Sequence, residues 1–176
     1  MGSIAMPARY ALTQAGANEI RILVAHRHRM FSDIGGHSEE SIRRQDRRYR
    51  SWILERLLRD EVVAVMARDA NGRVVASGCV WFRDEQPRPE TRRMRSAYIL
   101  SVYTANSARR HRLASRLTRR LVSIVRRRGY SRVALHASPM GRALYERLGF
   151  ERTWEMRLIL ARSARPPRVR AKRAHP

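Results

Sequence analysis

Four basic side chains, Arg109, Arg110, His111 and Arg112, stand between an apolar run, Ala97–Thr104, and a periodic stretch that opens at Leu113. The run AYILSVYT reads as a strand, and its nearly continuous apolar character suits a central position in a sheet. Leu113, Leu117, Leu121, Ile124 and Val125 recur at helical spacing, and the stripe ends at Gly129. A strand feeding a helix N-terminus presents unpaired backbone N–H groups beside the positive end of the macrodipole, which suits a phosphate. No Asp or Glu occurs between Thr91 and Tyr145, so nothing in that stretch opposes an anion. Anion capture is the chemistry indicated. The same residues also describe an ordinary strand-to-helix connection with solvated arginines.

Composition leaves the anion open. The 176 residues carry 38 Lys+Arg against 15 Asp+Glu, a net charge of +23 that draws nucleic acid, membrane surface or phosphorylated cofactor alike. Hydrophobic residues make up 43%, enough for a globular core, and the length suits one domain. One cysteine, Cys79, excludes an internal disulfide; its apolar surroundings, Val74–Phe82, suit a buried inert thiol. His26, His28 and His111 have no metal-like spacing with Cys or carboxylates, so no metal site is expected. No apolar stretch reaches the roughly 18 residues of a bilayer span, and Met1–Tyr10 lacks the pattern of a signal peptide. A cytoplasmic protein is expected.

The elements that must position the loop follow from patterning. Ala8–Thr13 suits a short strand and Asn18–Phe31 a helix stopped by Gly35-Gly36; Ser38 opens a second helix reaching Leu58. Val62–Arg68 and Val74–Phe82 flank Asp69-Ala70-Asn71-Gly72, a hairpin signal. Arg83–Arg95, with Pro87 and Pro89, reads as a loop. After the Leu113 helix come a strand at Val133–Ala137, a short helix at Met140–Leu148 and a last strand at Trp154–Leu160. Arg162–Pro176 is Arg, Pro and Ala without an apolar face and reads as a disordered basic tail. The order is β-α-α-β-β-β-α-β-α-β. The expected fold is a single α/β (α+β) domain over residues 1–161, a mixed, mostly antiparallel sheet with helices on both faces, and a tail over 162–176.

VYTANSARRHRLASRL, Val102–Leu117, resembles the acetyl-CoA motif of the GNAT superfamily of N-acetyltransferases, Gln/Arg-x-x-Gly-x-Gly/Ala. LHASPMGRALYERLGFERTWEMRL, Leu135–Leu158, is similar to the region that many bacterial members carry downstream, GRALYERLGF being its most specific part. Arg109 matches the motif's opening residue and Ala114 its closing one. Arg112 falls where the family usually has glycine, and Arg110 where glycine is common. The resemblance implies an acetyl-CoA-dependent N-acetyltransferase acting by direct transfer. Leu100, Ser101, Val102, Tyr103 and Thr104 would pair with the pantetheine arm. Arg109, Arg110, His111, Arg112, Leu113, Ala114 and Ser115 would hold the pyrophosphate. Ser138 stands where many members have a cofactor-contacting Asn.

The same resemblance implies that Tyr145 is the general acid that protonates the departing thiolate, against a reading as a core tyrosine. The general base is open between Glu155 and His136. The acceptor is an amine of a small molecule or peptide, with walls expected at Ser32–Glu40, Arg83–Arg95 and the last strand; their carboxylates could attract a cation. Nucleic acid is expected only non-specifically, through basic surface and tail, and no membrane partner is expected. Two other readings stand beside this one: a CoA-binding scaffold without catalysis, for which Arg112 speaks, and a basic nucleic-acid-binding protein. The oligomeric state is open, a homodimer included.

Overall fold

The computed structural model describes residues 10–87, 89 and 94–158. Within them the chain forms β1 (Tyr10–Gln14), α1 (Ile20–Ile34), α2 (Glu39–Leu58), β2 (Val62–Asp69) and β3 (Val74–Asp84). It continues through β4 (Arg95–Thr104), α3 (Leu113–Arg127), β5 (Val133–Leu135) and α4 (Arg142–Glu146). The turn residues act as their chemistry requires. α1 ends at Gly35 (φ 77°), whose N–H donates to the Phe31 carbonyl, and Ser38 Oγ caps α2 by accepting from Ser41 N at 3.2 Å. In the β2–β3 hairpin, Asp69 Oδ1 accepts from the N–H groups of Asn71 and Arg73.

The strands lie in the order β1-β2-β3-β4-β5; all neighbours are antiparallel except β4 and β5, which are parallel. Period-2 alternation along β2 sends Val63, Val65 and Ala67 to one face and Val62, Ala64 and Met66 to the other. The first face receives the α3 stripe of Leu113, Leu117, Leu121, Ile124 and Val125. The second receives Ile20 and Leu23 of α1 with Tyr49 and Ile53 of α2. Both faces of the central strands are therefore buried, which explains their lack of polar alternation. The expected mixed sheet with helices on both faces is what forms.

Several boundaries differ from the sequence expectation: α1 extends to Ile34, and Arg83, Asp84 and Arg95, expected in a loop, extend the β3–β4 ladder. β5 stops at Leu135, so His136 falls beyond the strand end, and α4 is shorter than Met140–Leu148. The strand expected at Trp154–Leu160 is absent from its described part: residues 151–158 form no regular element, and residues 159–160 lie outside the described residues. Trp154, Met156 and Leu158 are exposed instead. A strand needs a ladder partner, and β5 offers only three residues and closes the sheet. The tail expected at 162–176 and residues 8–9 also lie outside the described residues.

His26 is buried under α1, its Nδ1 2.9 Å from Ser77 Oγ and its ring 5.0 Å from that of Tyr103. Burial, with the nearby Arg29 cation second, lowers its pKa to about 4. The native state thus stays neutral where the unfolded chain takes up a proton, near the usual value of about 6.5. Stability is complete above that value and is lost as pH falls from about 6.5 towards 4. Urea midpoints should therefore decline over this window, and His26→Gln should flatten the decline; an unchanged slope would remove His26 as its cause.

Candidate active site

β4 is paired on both edges only over Ala97–Ile99, which oppose Val133–Leu135 of β5. Leu100–Thr104 keep β3 on one side, with Leu100 opposite Cys79, Tyr103 opposite Ser77 and Thr104 opposite Ala76. Among the described residues their other edge has no strand, because β5 has ended. The opening is a slot lined by strand backbone, able to pair with an extended amide-bearing arm. The register also slips here: Ser101 and Val102 together face Gly78. Ser101 takes φ +53°, and the surplus residue of such a bulge has no ladder partner. A Cβ at Gly78 would lie 3.2 Å from Val102 Cγ2 and 3.3 Å from Leu121 Cδ1, so glycine permits the close approach of bulge and helix.

The chain leaves β4 through a 3-10 turn, Asn106–Ala108, that buries Ala108. Arg110 and Arg112 then adopt φ +65° and +56°, and Arg112 serves as the N-cap of α3 without a side-chain cap bond. These are the two positions at which the family pattern favours glycine. Arginine occupies left-handed backbone at both, at a cost of about 1–2 kcal/mol per residue. The first-turn N–H groups of α3, including those of Leu113, Ala114 and Ser115, have no intrahelical acceptor and point into the space before the helix. Arg110 and Arg112 are exposed. Arg109 pairs with Asp33 at 2.5 Å, and its Nε donates to the Thr104 carbonyl at 3.4 Å. The His111 ring lies 5.4 Å from that of Tyr10.

A cleft of about 860 Å³ opens at the β5 end of the sheet, lined among others by Tyr98, His136, Tyr145, Phe150, Glu155 and Arg157. The three residues expected to move protons, Tyr145, Glu155 and His136, are thus brought to one cavity. Residues 100–115 do not line it. Tyr145 is half-buried, and burial raises its hydroxyl above the usual tyrosine value, which keeps it protonated near neutrality. Its ring stands edge-on to Phe150 at 5.8 Å. A Cβ on Gly141 would come within 3.1 Å of Tyr145 Cε2, so glycine there seats the ring. Ser138 Oγ accepts from Gly141 N at 3.2 Å, and its carbonyl accepts from Gly141 and Arg142; its side chain is committed to starting α4.

His136 and Glu155 are both exposed. His136 Nδ1 lies 3.4 Å from Arg157 Nη2; an arginine only donates, so that nitrogen accepts. Tyr98 beside them is raised first by burial and further by the Glu155 charge, while Arg83, 4.5 Å from its ring centroid, acts oppositely. Several expected acceptor-wall carboxylates are occupied. Asp33 holds Arg109, Glu39 holds His28 and Arg43, Glu40 holds Arg44, and Asp84 holds Arg95. Glu90 lies outside the described residues. Cys79 is buried, its thiol pushed up to about 12, in keeping with an inert side chain. Among the described residues no cluster of ligands could hold a metal, and no helix is long and apolar enough to cross a membrane.

Sequence reasoning missed Gly78, Tyr98 and the pairing of Asp33 with Arg109. An isolated glycine inside a strand signals a bulge or close backbone approach and could have revealed Gly78. Asp33 and Arg109 lie 76 residues apart and carry no such signal.

A bulged β4 separates from β5 and is joined by a left-handed basic loop to a helix N-terminus. The Acetyltransferase (GNAT) family profile matches residues 21–150, and the chain belongs to that family. A GCN5-related N-acetyltransferase from Ralstonia eutropha JMP134 is 24% identical, covering 86% of this chain and 98% of its own, with a TM-score of 0.79. A predicted acetyltransferase from Clostridium acetobutylicum, solved with acetyl-CoA, is 25% identical over 85% of this chain and 95% of its own, with a TM-score of 0.78. A ribosomal-protein-alanine N-acetyltransferase from Brucella melitensis biovar Abortus 2308 shares the fold at 18% identity, covering 85% and 97% with a TM-score of 0.62. Comparison with curated proteins finds no match.

The left-handed loop makes a contrast that stability measurements can read. Arg119→Gly in α3 should cost about 1 kcal/mol, the usual price of glycine within a helix. Arg112→Gly relieves the strain of φ +56° and should leave stability unchanged or higher. Equal losses in chemical denaturation would contradict the assigned conformation of Arg112.

Proposed function

We propose that the chain transfers an acetyl group from acetyl-CoA directly to an amine. The observation that carries this reading is the open edge of Leu100–Thr104 leading into a loop whose backbone keeps glycine-like geometry at Arg110 and Arg112. The slot edge of Leu100, Ser101, Val102, Tyr103 and Thr104 pairs with the pantetheine arm. N–H groups of the loop and of Leu113, Ala114 and Ser115 take the pyrophosphate, and the Arg110 and Arg112 side chains add charge-assisted contacts. Arg109 joins them by exchanging Asp33 for phosphate. Ser138 contributes by shaping the start of α4.

The thioester supplies an activated acetyl carbonyl. A backbone N–H at the Ser101–Val102 bulge polarises it. The acceptor nitrogen attacks with its lone pair, the C–N bond forms and the C–S bond breaks. Tyr145 donates its proton to the leaving sulfur; its raised pKa keeps that proton available. The nitrogen's proton goes to Glu155. His136 is the weaker candidate, because its Nδ1 is turned towards Arg157. Holding both reactants together supplies much of the rate as orientation.

Acetyl-CoA and CoA should each raise the melting temperature, with a shift that survives moderate salt. A shift produced by a nucleic-acid duplex alone, and abolished by salt, would overturn the reading. Thiol release on a panel of amino acids, polyamines, aminoglycosides and N-terminal peptides then identifies the acceptor; no release on any, with binding intact, favours the non-catalytic scaffold. Tyr145→Phe should lower kcat by about 100-fold, the low end for a positioned acid, with acetyl-CoA affinity changed less than twofold. Equal turnover would remove Tyr145 from the mechanism.

A further inference from the structure

A second basic feature lies between α1 and α2, on residues outside the proposed transfer site. A surface groove of about 370 Å³ is lined by Arg21 and Arg29 of α1 and Arg50 of α2, over a floor of Val24 and Ala25. Its other two lining residues, His28 and Asp46, are hydrogen-bonded to one another through Asp46 Oδ2, while Asp46 Oδ1 is buried without a partner among the described residues. His28 Nδ1 is 2.7 Å from Asp46 Oδ2, and His28 Nε2 is 3.0 Å from Glu39. The carboxylate in the groove is thereby engaged. Arg21, Arg29 and Arg50 form no ion pair with any carboxylate among the described residues, unlike Arg43, Arg44, Arg56 and Arg59 nearby.

We infer that this groove docks the phosphate backbone of a nucleic acid. Arg21 and Arg29 are eight residues apart on one helix, about 12 Å along its axis, so successive phosphates of a chain can engage both at once. Three guanidinium forks suit their oxygens better than lysine point charges. The net charge of +23 adds long-range attraction to the same class of partner. An anionic membrane surface fits less well. Helices that lie on membranes insert Trp, Phe or Leu, whereas the apolar part of this groove is Val24 and Ala25 at its floor.

Fluorescence anisotropy of the full chain with a labelled 20-base-pair duplex, RNA and DNA in separate arms, tests this over 50–200 mM salt. The triple variant Arg21→Gln, Arg29→Gln, Arg50→Gln should weaken binding at least tenfold and lower the log–log salt slope by about 2–3. A control removing equal charge from α3, Arg119→Gln, Arg120→Gln, Arg127→Gln, should weaken it less than threefold. Acetyl-CoA melting shifts should match wild type in both, separating this inference from the proposed activity. Equal losses in the two triples would mean bulk charge without a docking site and would overturn the proposal. So would absence of duplex binding, or capture by phosphatidylserine vesicles alone.

Discussion

The close contact of Gly78 with Val102 and Leu121 is the constraint on which the rest of the site depends. Without a Cβ at that point, β4 can carry its surplus residue while α3 packs directly over the bulge. A bulge bends and over-twists its strand, and pairing between β4 and β5 has already ended at Ile99 and Leu135. One missing side chain thus reconciles a buried, close-packed sheet with a strand whose last five residues present an open edge. Leu121 belongs to the same helical stripe that seats α3, so the opening and the helix N-terminus are held by one packing arrangement.

The basic loop solves a conflict between backbone geometry and side-chain identity. Left-handed turns favour glycine because a Cβ crowds the following carbonyl. Here arginine occupies both left-handed positions, at 110 and 112, and Ser101 occupies a third in the bulge. Such strain persists where surrounding packing determines it. Ala108 and Leu113, both buried, pin the loop on either side. The loop carries two exposed guanidinium groups beside the first N–H groups of α3, which lack intrahelical acceptors. Its third arginine, Arg109, pairs with Asp33 at the end of α1, which ties the loop to the other layer of the fold.

Charge in this protein is organised rather than uniform. Where carboxylates occur they are mostly spent on neighbouring arginines, as at Glu40, Glu55, Asp60 and Asp84. Exposed pairs of this kind contribute little to stability. Their effect is to decide which arginines remain available. Those left over include the exposed Arg110 and Arg112 before α3 and Arg21, Arg29 and Arg50 in the groove between α1 and α2, two places that differ in what surrounds them: orphan backbone donors in one, a side-chain surface in the other.

Much of this was legible in the amino-acid order, because the information was local. The hairpin at Asp69–Gly72, the Ser38 cap, the stop at Gly35 and the Leu113 stripe each arise from residues close in sequence, and each element forms where its pattern lies. The strand–loop–helix unit around Arg109 was legible for the same reason. The pattern failed at Trp154–Leu160, whose described residues carry strand-like composition without a ladder; alternation specifies which side chains a strand would bury but cannot supply a partner edge. Only the tertiary structure could join Asp33 to Arg109, place Gly78 against two elements at once, or bring Tyr145, His136 and Glu155 to one cleft. The sequence alone determined the local conformations and the chemistry of their side chains. Which of those side chains remain free to act was decided by contacts between segments far apart in the chain, where packing, rather than local preference, sets distance and charge.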